Sequence, residues 1–308
     1  MIVCLGTTPV YQRSMVFERL LLNEVNRAMA VYDYASGKSI NVARVVRTLG
    51  EEVVATGFVG KGKRGDALLA DLDRAGIRHE FVRVGPPARQ CVTVIDRAAG
   101  TATELVEESQ PVTGENWAEL TKKFANLVAG ARAYVFSGSL PPGAPHDFYA
   151  HCLRQLGRRP PAIVDTRCEA LRAALKEPDF IVKLNRNELA ETVGFPTDSD
   201  HALQKAMRAV MPAGGSVVVT AGRDGAVVSD RKGSWRVCPP RVAAKSAVGS
   251  GDAFAAGMAL GLLRGRTVQD ACALAAACGA ANAMTDLAGH LSPADVELLL
   301  PEIRVEPF

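Results

Sequence analysis

From Trp117 onward, short apolar runs alternate with segments of helical period, and this rhythm is the tightest constraint on the fold. A helix over Trp117–Val128 leads to a strand at Ala133–Phe136, and a helix near 146–157 to a strand at Ala162–Asp165. A helix near 168–176 leads to a strand at Phe180–Leu184, followed by helices over 187–193 and 200–211. Strands at Ser216–Ala221 and Ala226–Ser229 come next, then two helices at about 252–264 and 268–285. Ser292-Pro293-Ala294-Asp295 opens the last helix, with proline at its first position. Strands separated by helices imply a mainly parallel sheet covered on both faces, a three-layer α/β/α sandwich. A chain of 308 residues can bury such a core as one main domain, 1–308.

The N-terminal third keeps this rhythm only in part. Ile2–Leu5 suits a first strand. Residues 7–36 mix apolar and polar positions without a helical stripe and close on Ser36-Gly37. Gly37–Gly50 has apolar residues at 42, 45, 46 and 49, which is helical spacing, with Gly50 just past the end. Glu52–Val59 reads as a strand and Arg64–Ala75 as a helix with Leu68, Leu69 and Leu72 inward. Residues 79–84, 90–96 and 101–107 then alternate as strands, with Pro86-Pro87 between the first two. These three strands form a second off-rhythm set, which is expected to pair with residues 7–36 as a small sheet outside the main one, the lid strands lying at about 7–36 and 86–110.

Composition narrows the function. A net charge of +3 gives no support for binding nucleic acid or a membrane surface. The seven cysteines include no CxxC pair, which fits a reducing compartment. MIVCLGTTP lacks the basic segment and apolar run of a signal peptide, and the apolar C-terminal stretches carry Asp270, Asn282 and glycines. A soluble cytoplasmic protein is the expectation.

Val248-Gly249-Ser250-Gly251-Asp252 followed by Ala253-Phe254-Ala255-Ala256-Gly257 is where chemistry concentrates. It reads as a glycine-rich loop feeding the N-terminus of a buried helix, whose first N–H groups lack partners and sit at the positive end of its dipole. Glycines let that backbone approach a phosphate or a developing anion. Asp252 is either the helix cap or a general base held beside an anion hole.

Two other signals fail on context. Gly60-Lys61-Gly62-Lys63-Arg64-Gly65 fits GxGxxG, but a helix and a strand precede it and basic residues crowd the turn. Gly37-Lys38-Ser39 has the tail of a P-loop, yet Tyr32 stands where its first glycine is required. Four stretches support the Asp252 site instead. Asn185-Arg186-Asn187-Glu188 puts an amide and a carboxylate on one helical face, suited to a helix cap or to magnesium held through water. Thr220-Ala221-Gly222-Arg223-Asp224-Gly225 is a glycine-rich turn between strands, a plain hairpin or a phosphate cradle. Ser137-Gly138-Ser139-Leu140-Pro141-Pro142-Gly143 closes a strand at its carboxyl end, where open α/β sheets bind ligands. Lys38 and Arg89, with Asn41 nearby in sequence, could supply cations for a phosphate.

Taken in order, GKSINVAR, SGSLPPG, NxxE after VKL, TxGxxGA and GSGDAFAAG resemble the PfkB carbohydrate kinases of the ribokinase superfamily. The 1-phosphofructokinase and tagatose-6-phosphate kinase branch is the most similar. The resemblance implies a ribokinase-like sandwich with a β-sheet lid, ATP as co-substrate, Mg2+, and a homodimer joined through the lid; a monovalent cation is left open. It implies Asp252 as the base and the backbone of Gly249, Ser250 and Gly251 as the anion hole. It places Gln12, Gly37, Lys38, Asn41, Arg89 and Ser139 around the sugar, with Lys38 and Arg89 on its phosphate. Asn185 and Glu188 would organise magnesium, Asn185, Thr220, Gly222 and Gly225 would contact ATP, and Gly279 and Asn282 would lie by the nucleoside.

The sugar-reading half departs from the branch. Gln12 stands where an aspartate is expected, replacing a pure acceptor with an amide that also donates. Cys91 replaces an asparagine in Arg89-Gln90-Cys91-Val92, and Thr103–Gln110 and Asp165–Leu171 also differ from the branch's TEINEPGP and DTSGEAL. The expected activity is therefore a sugar-phosphate kinase. A kinase of an unphosphorylated sugar or nucleoside, and a nucleotide-binding sensor without turnover, stand as alternatives.

Overall fold

A computed structural model describes residues 1–157 and 160–308. In chain order, β1 (Ile2–Gly6), β2 (Val10–Phe17) and β3 (Ala30–Ser36) precede α1 (Lys38–Thr48), β4 (Val53–Lys61), α2 (Lys63–Arg74) and β5 (Arg78–Pro87). β6 (Gln90–Asp96) and β7 (Thr101–Val106) follow, then α3 (Gly114–Val128), β8 (Ala133–Ser137), α4 (Phe148–Arg154), β9 (Ala162–Asp165), α5 (Cys168–Ala174) and β10 (Ile181–Asn185). The chain continues through α6 (Arg186–Val193), α7 (Asp200–Ala209), β11 (Ser216–Thr220), β12 (Ala226–Asp230) and β13 (Gly233–Cys238). It ends with α8 (Ser250–Leu263), α9 (Val268–Ala283), α10 (Pro293–Leu299) and β14 (Arg304–Pro307).

The large sheet has the order β14-β13-β12-β11-β10-β9-β8-β1-β4-β5. From β5 to β11 every pairing is parallel, and β12 to β14 add antiparallel strands at one edge. β1 is central and buried along its whole length, as a strand covered on both faces must be. Its side chains divide between two cores. Ile2 and Cys4 join a layer built on α1, α2, α8 and α9. Val3 and Leu5 join one carrying Trp117, Phe124, Tyr149, Leu171 and Leu203 from the helices of the opposite face. α8 and α9 approach closely because their contact is made of small residues: a Cβ on Gly257 would sit 2.8 Å from the Ala275 Cα. The α/β/α sandwich expected from the alternation is present.

The two off-rhythm strand sets pair, in the order β3-β2-β6-β7, as a separate four-stranded sheet. β2 runs parallel to β6 and antiparallel to β3. Its buried positions alternate, so Val10, Gln12, Ser14 and Val16 share the inner face. Val31, Tyr32, Leu105 and Val106 are exposed.

Two expectations need correction. The strand expected at 79–84 is not one of the off-rhythm group: as β5 it pairs parallel with β4, Val54 facing Arg78, and forms an edge of the large sheet. An edge strand is buried on one side only, so its alternation reports its position and not which sheet it joins. The antiparallel edge was also incomplete, because β13 and β14 escaped the apolar pattern. Most of their positions are half-buried or exposed.

Candidate active site

The carboxyl ends of the parallel strands converge on the N-terminus of α8. Gly249 caps that helix in the left-handed conformation (φ 81°) and supplies no side-chain cap. A Cβ there would lie 2.7 Å from the Ala288 Cα, so both backbone and neighbours require glycine. Asp252 therefore is not the cap. It lies in the first turn, and its carboxylate turns away from the helix to accept a hydrogen bond from Asn41 Nδ2 at 2.7 Å. Asn41 is held in turn, its Oδ1 accepting from Ser36 Oγ at 2.8 Å. The chain Ser36–Asn41–Asp252 links the end of the small sheet to α1 and α8.

Asp252 is buried, 8% exposed. Burial pushes its pKa up to about 6, the negative charge of Asp165 adds to this, and Lys38, Lys183 and the Asn41 bond pull it back. Such a carboxyl is ionised at neutral pH and basic enough to share a proton with an alcohol in a transition state.

A buried ion network lies beside it. Asp165, at the end of β9 and fully buried, accepts from Lys38 Nζ and Lys183 Nζ, each at 2.6 Å. Lys38 also donates to Glu188 Oε1 at 2.8 Å. Burial alone would raise the Asp165 pKa, but Lys183 and Lys38 outweigh it and hold the carboxyl at about 2. Burial would lower the Lys38 pKa, yet Asp165, Glu188 and Asp252 outweigh it and keep the amine raised and charged. Lys183 reaches the helix end as well: a Cβ on Gly251 would sit 3.2 Å from its Nζ. Asp165 and Lys183 were missed in the sequence as site residues. The signal was there, a lysine inside the apolar run Ile181-Val182-Lys183-Leu184.

These groups line one end of a cavity of about 570 Å³. Lys38, Asn185, Glu188, Thr220, Gly222, Gly225, Ser250, Gly251, Asp252 and Gly279 all border it, so most of the residues expected at the site do converge. Its lining also includes the apolar residues Val242, Phe254, Ala280 and Ala283. The volume and the mix of apolar and polar lining suit a nucleotide-sized ligand. Asn185 and Glu188 form a reciprocal helix cap: the Glu188 N–H donates to Asn185 Oδ1 and the Asn185 N–H to Glu188 Oε2. The turn after Thr220 is a short 3₁₀ segment, Gly222–Asp224, within the hairpin of β11 and β12.

Other expected residues lie elsewhere. Asn282 is fully buried; its amide donates to the Val248 carbonyl (2.9 Å) and accepts from the Gly289 N–H (2.8 Å), and so braces the loop before α8. Of the three amides expected to form an anion hole, that of Ser250 already bonds the Ala247 carbonyl at 3.2 Å. Lys38 and Arg89 do not meet at one phosphate position. Lys38, the first residue of α1, is committed to Asp165 and Glu188, whereas Arg89 donates to the carbonyls of Thr8 (2.9 Å) and Glu107 (3.1 Å). Arg89 lines a separate cavity of about 80 Å³ with Thr8, Pro9 and Pro141, and its buried Nε has no partner among the described residues. Gln12 is buried on the inner face of the small sheet, its amide donating to Thr93 Oγ1 at 2.9 Å and weakly to the Arg13 carbonyl at 3.4 Å. Gly37 caps α1, and the exposed Ser139 holds the Thr7 and Thr8 hydroxyls through its carbonyl.

Comparison with known proteins agrees with this architecture. The profile of the family described as pfkB family carbohydrate kinase matches residues 1–294. Phosphofructokinase-2 from Escherichia coli in complex with fructose-6-phosphate is 26% identical, with 98% of each chain covered and a TM-score of 0.86. The same enzyme is known in complex with potassium and in a tetrameric inhibited form. A candidate 1-phosphofructokinase from Thermotoga maritima is 22% identical, with 100% of this chain and 99% of that one covered and a TM-score of 0.88. Arabidopsis thaliana ribokinase with ribose and ATP is 18% identical, covering 97% and 98%, with a TM-score of 0.73.

Proposed function

The chain belongs to the pfkB family of carbohydrate kinases, and from that premise we propose that it transfers the γ-phosphoryl group of ATP to a hydroxyl of a sugar phosphate. The fold is ribokinase-like. The observation that carries the proposal is the Asp252 carboxylate, held by Asn41 at the polar end of the large cavity with a pKa of about 6.

Asp252 accepts the proton of the attacking hydroxyl as the bond to phosphorus forms. The Gly249 and Gly251 amides, at the positive end of the α8 dipole, receive charge developing on the phosphoryl oxygens, with Lys183 beside them. Lys38 sits among Asp165, Glu188 and the Asp252 charge, which supports a role for its ammonium at the transferring phosphoryl group rather than at the phosphate already on the sugar. Phosphoryl transfer asks for this kind of positioning and charge stabilisation more than for covalent help.

The apolar part of the cavity lining takes the adenine, and the Thr220–Gly225 turn borders the phosphates. Among the described residues no three His, Cys, Asp or Glu side chains cluster to hold a metal by themselves. One carboxylate and one amide, Glu188 and Asn185, fit a magnesium ion carried in on nucleotide phosphates and reached directly or through water. When bound, that ion neutralises charge on the phosphoryl group. The small sheet acts as a lid over the sugar, its inner face offering Gln12, Ser14 and Thr93, and keeps water from the ATP. Arg89, whose Nε has no partner among the described residues, is offered to the sugar's own phosphate. The exposed apolar residues Val31 and Leu105 on the outer face of the small sheet support a homodimer joined there.

An ADP-release assay with magnesium-ATP and potassium, run across sugar phosphates, free sugars and nucleosides, tests the reading. Turnover on a phosphorylated sugar is expected. Turnover only on an unphosphorylated compound removes the Arg89 role, and nucleotide binding without any turnover identifies a sensor.

A further inference from the structure

Outside the residues that touch a ligand, one buried contact joins the small sheet to the catalytic loop. Tyr34, near the end of β3, is 5% exposed. Its hydroxyl accepts the Ala288 N–H at 3.1 Å and pairs with Ser14 Oγ at 3.1 Å on the neighbouring strand. The His290 ring meets the tyrosine edge-on at 5.4 Å, and its Nδ1 lies 3.0 Å from the Ala288 carbonyl. Burial and, after it, Arg44 lower the His290 pKa to about 4, so the ring is neutral in the working range. Both polar groups of the Ala288 backbone are thus held by side chains.

Ala288 and Gly289 are the ceiling of the reacting groups. A Cβ on Gly249 would lie 2.7 Å from both the Ala288 Cα and the Gly289 N, and a Cβ on Gly289 would lie 2.7 Å from the Asn41 Cα. The Gly289 N–H is fixed by Asn282, whose amide also holds the Val248 carbonyl. Contacts this close leave no slack, so a shift of the Ala288–Gly289 backbone must move Gly249 and Asn41. A second tie runs in parallel, an ion pair between Arg97, just after β6, and Asp286.

We propose that Tyr34 is a positioning residue: it transmits the seating of the small sheet to the Gly249 loop and to the Asn41–Asp252 pair through the Ala288–Gly289 backbone. The sheet that covers the sugar and the loop that receives the phosphoryl charge are then set by one contact. This rests on the assignment of Asp252 as base.

Removing the hydroxyl by Tyr34→Phe keeps the ring against His290 but orphans the buried Ala288 N–H, a cost of the order that slows chemistry about tenfold. The expected result is a kcat about tenfold lower with the KM for ATP within about twofold, since the ATP cavity is untouched. The acid limb of kcat moves to higher pH, because Asn41 releases its bond to Asp252. The other charged groups at that carboxylate, Lys38 on α1, Asp165 on β9 and Lys183 on β10, stay in place. Amide hydrogen exchange over residues 285–291 rises while the large sheet is unchanged. Ser14→Ala, which keeps the tyrosine and removes its support, moves the same readouts less far. A purely structural tyrosine would lower Tm without moving the pH limb. An unchanged kcat and pH profile in Tyr34→Phe overturns the proposal, whether or not exchange rises. If the unmodified protein turns over no sugar at all, the kinase reading has failed first and the positioning role falls with it.

Discussion

Replacing Asp165 by asparagine separates stability from chemistry at this site. The residue is fully buried between two ammonium groups at 2.6 Å each. Its pKa in the folded protein is about 2, against 3.8 ordinarily. That gap corresponds to ~2 kcal/mol of stability at neutral pH. Because the folded value is depressed, the contribution is complete above about pH 4 and is lost as pH falls towards 2. Asparagine keeps the shape and removes the charge, leaving Lys183, with 4% of its side chain exposed, as a buried ammonium without its hydrogen-bonded carboxylate. Breaking such a pair costs ~3–5 kcal/mol. Lys38 keeps Glu188 and is one-third exposed, so the lower end, ~3 kcal/mol, is expected. The effect on Asp252 has the opposite sense. The Asp165 charge is the second cause of its raised pKa, so removing it moves the acid limb of kcat/KM to lower pH. Urea unfolding and a pH–rate profile on the same protein read both effects. A loss of under ~1 kcal/mol, or an acid limb that stays or moves upward, would refute the reasoning.

The Asp252 carboxylate is itself a strain on the fold. Its raised pKa destabilises the folded state as pH climbs from about 4 to about 6, by ~3 kcal/mol that stays constant at higher pH. Asp252→Asn should therefore raise the urea midpoint at neutral pH, and a lowered midpoint would count against burial as the cause. Gln12 has both amide hydrogens directed at Arg13 and Thr93, so its Oε1 is the atom left for a sugar hydroxyl. Gln12→Asp puts a charge at that acceptor and should change the ratio of kcat/KM between two sugar phosphates by about tenfold. An unchanged ratio would show that the small sheet does not read the sugar there.

Much of this was legible in the chain because it is written in local chemistry. Gly249, Gly251 and Asp252 announce a helix start, and the strand–helix rhythm implies a covered parallel sheet. What escaped depends on distant partners. Lys183 and Asp165 are 18 residues apart on neighbouring strands, and neither motif hints that Lys38 closes the network from across the sheet. The bonds of Asn282 to the Val248 carbonyl and the Gly289 N–H likewise join loops that no local pattern brings together. Lys38 and Arg89 look like one clamp in the sequence; the structure puts them on different cavities. β5 was misassigned for a related reason, since one-sided burial is common to edge strands and to small sheets.

The most direct test of the account is kcat/KM against pH, from about 5 to about 8, for the unmodified protein and Asp252→Asn on its best sugar phosphate. The account predicts a fall of about tenfold per pH unit below about 6 in the unmodified protein. It also predicts a loss of about a thousandfold or more in the variant, with ATP still bound. A flat profile, or a variant within about tenfold of the unmodified rate, would contradict it.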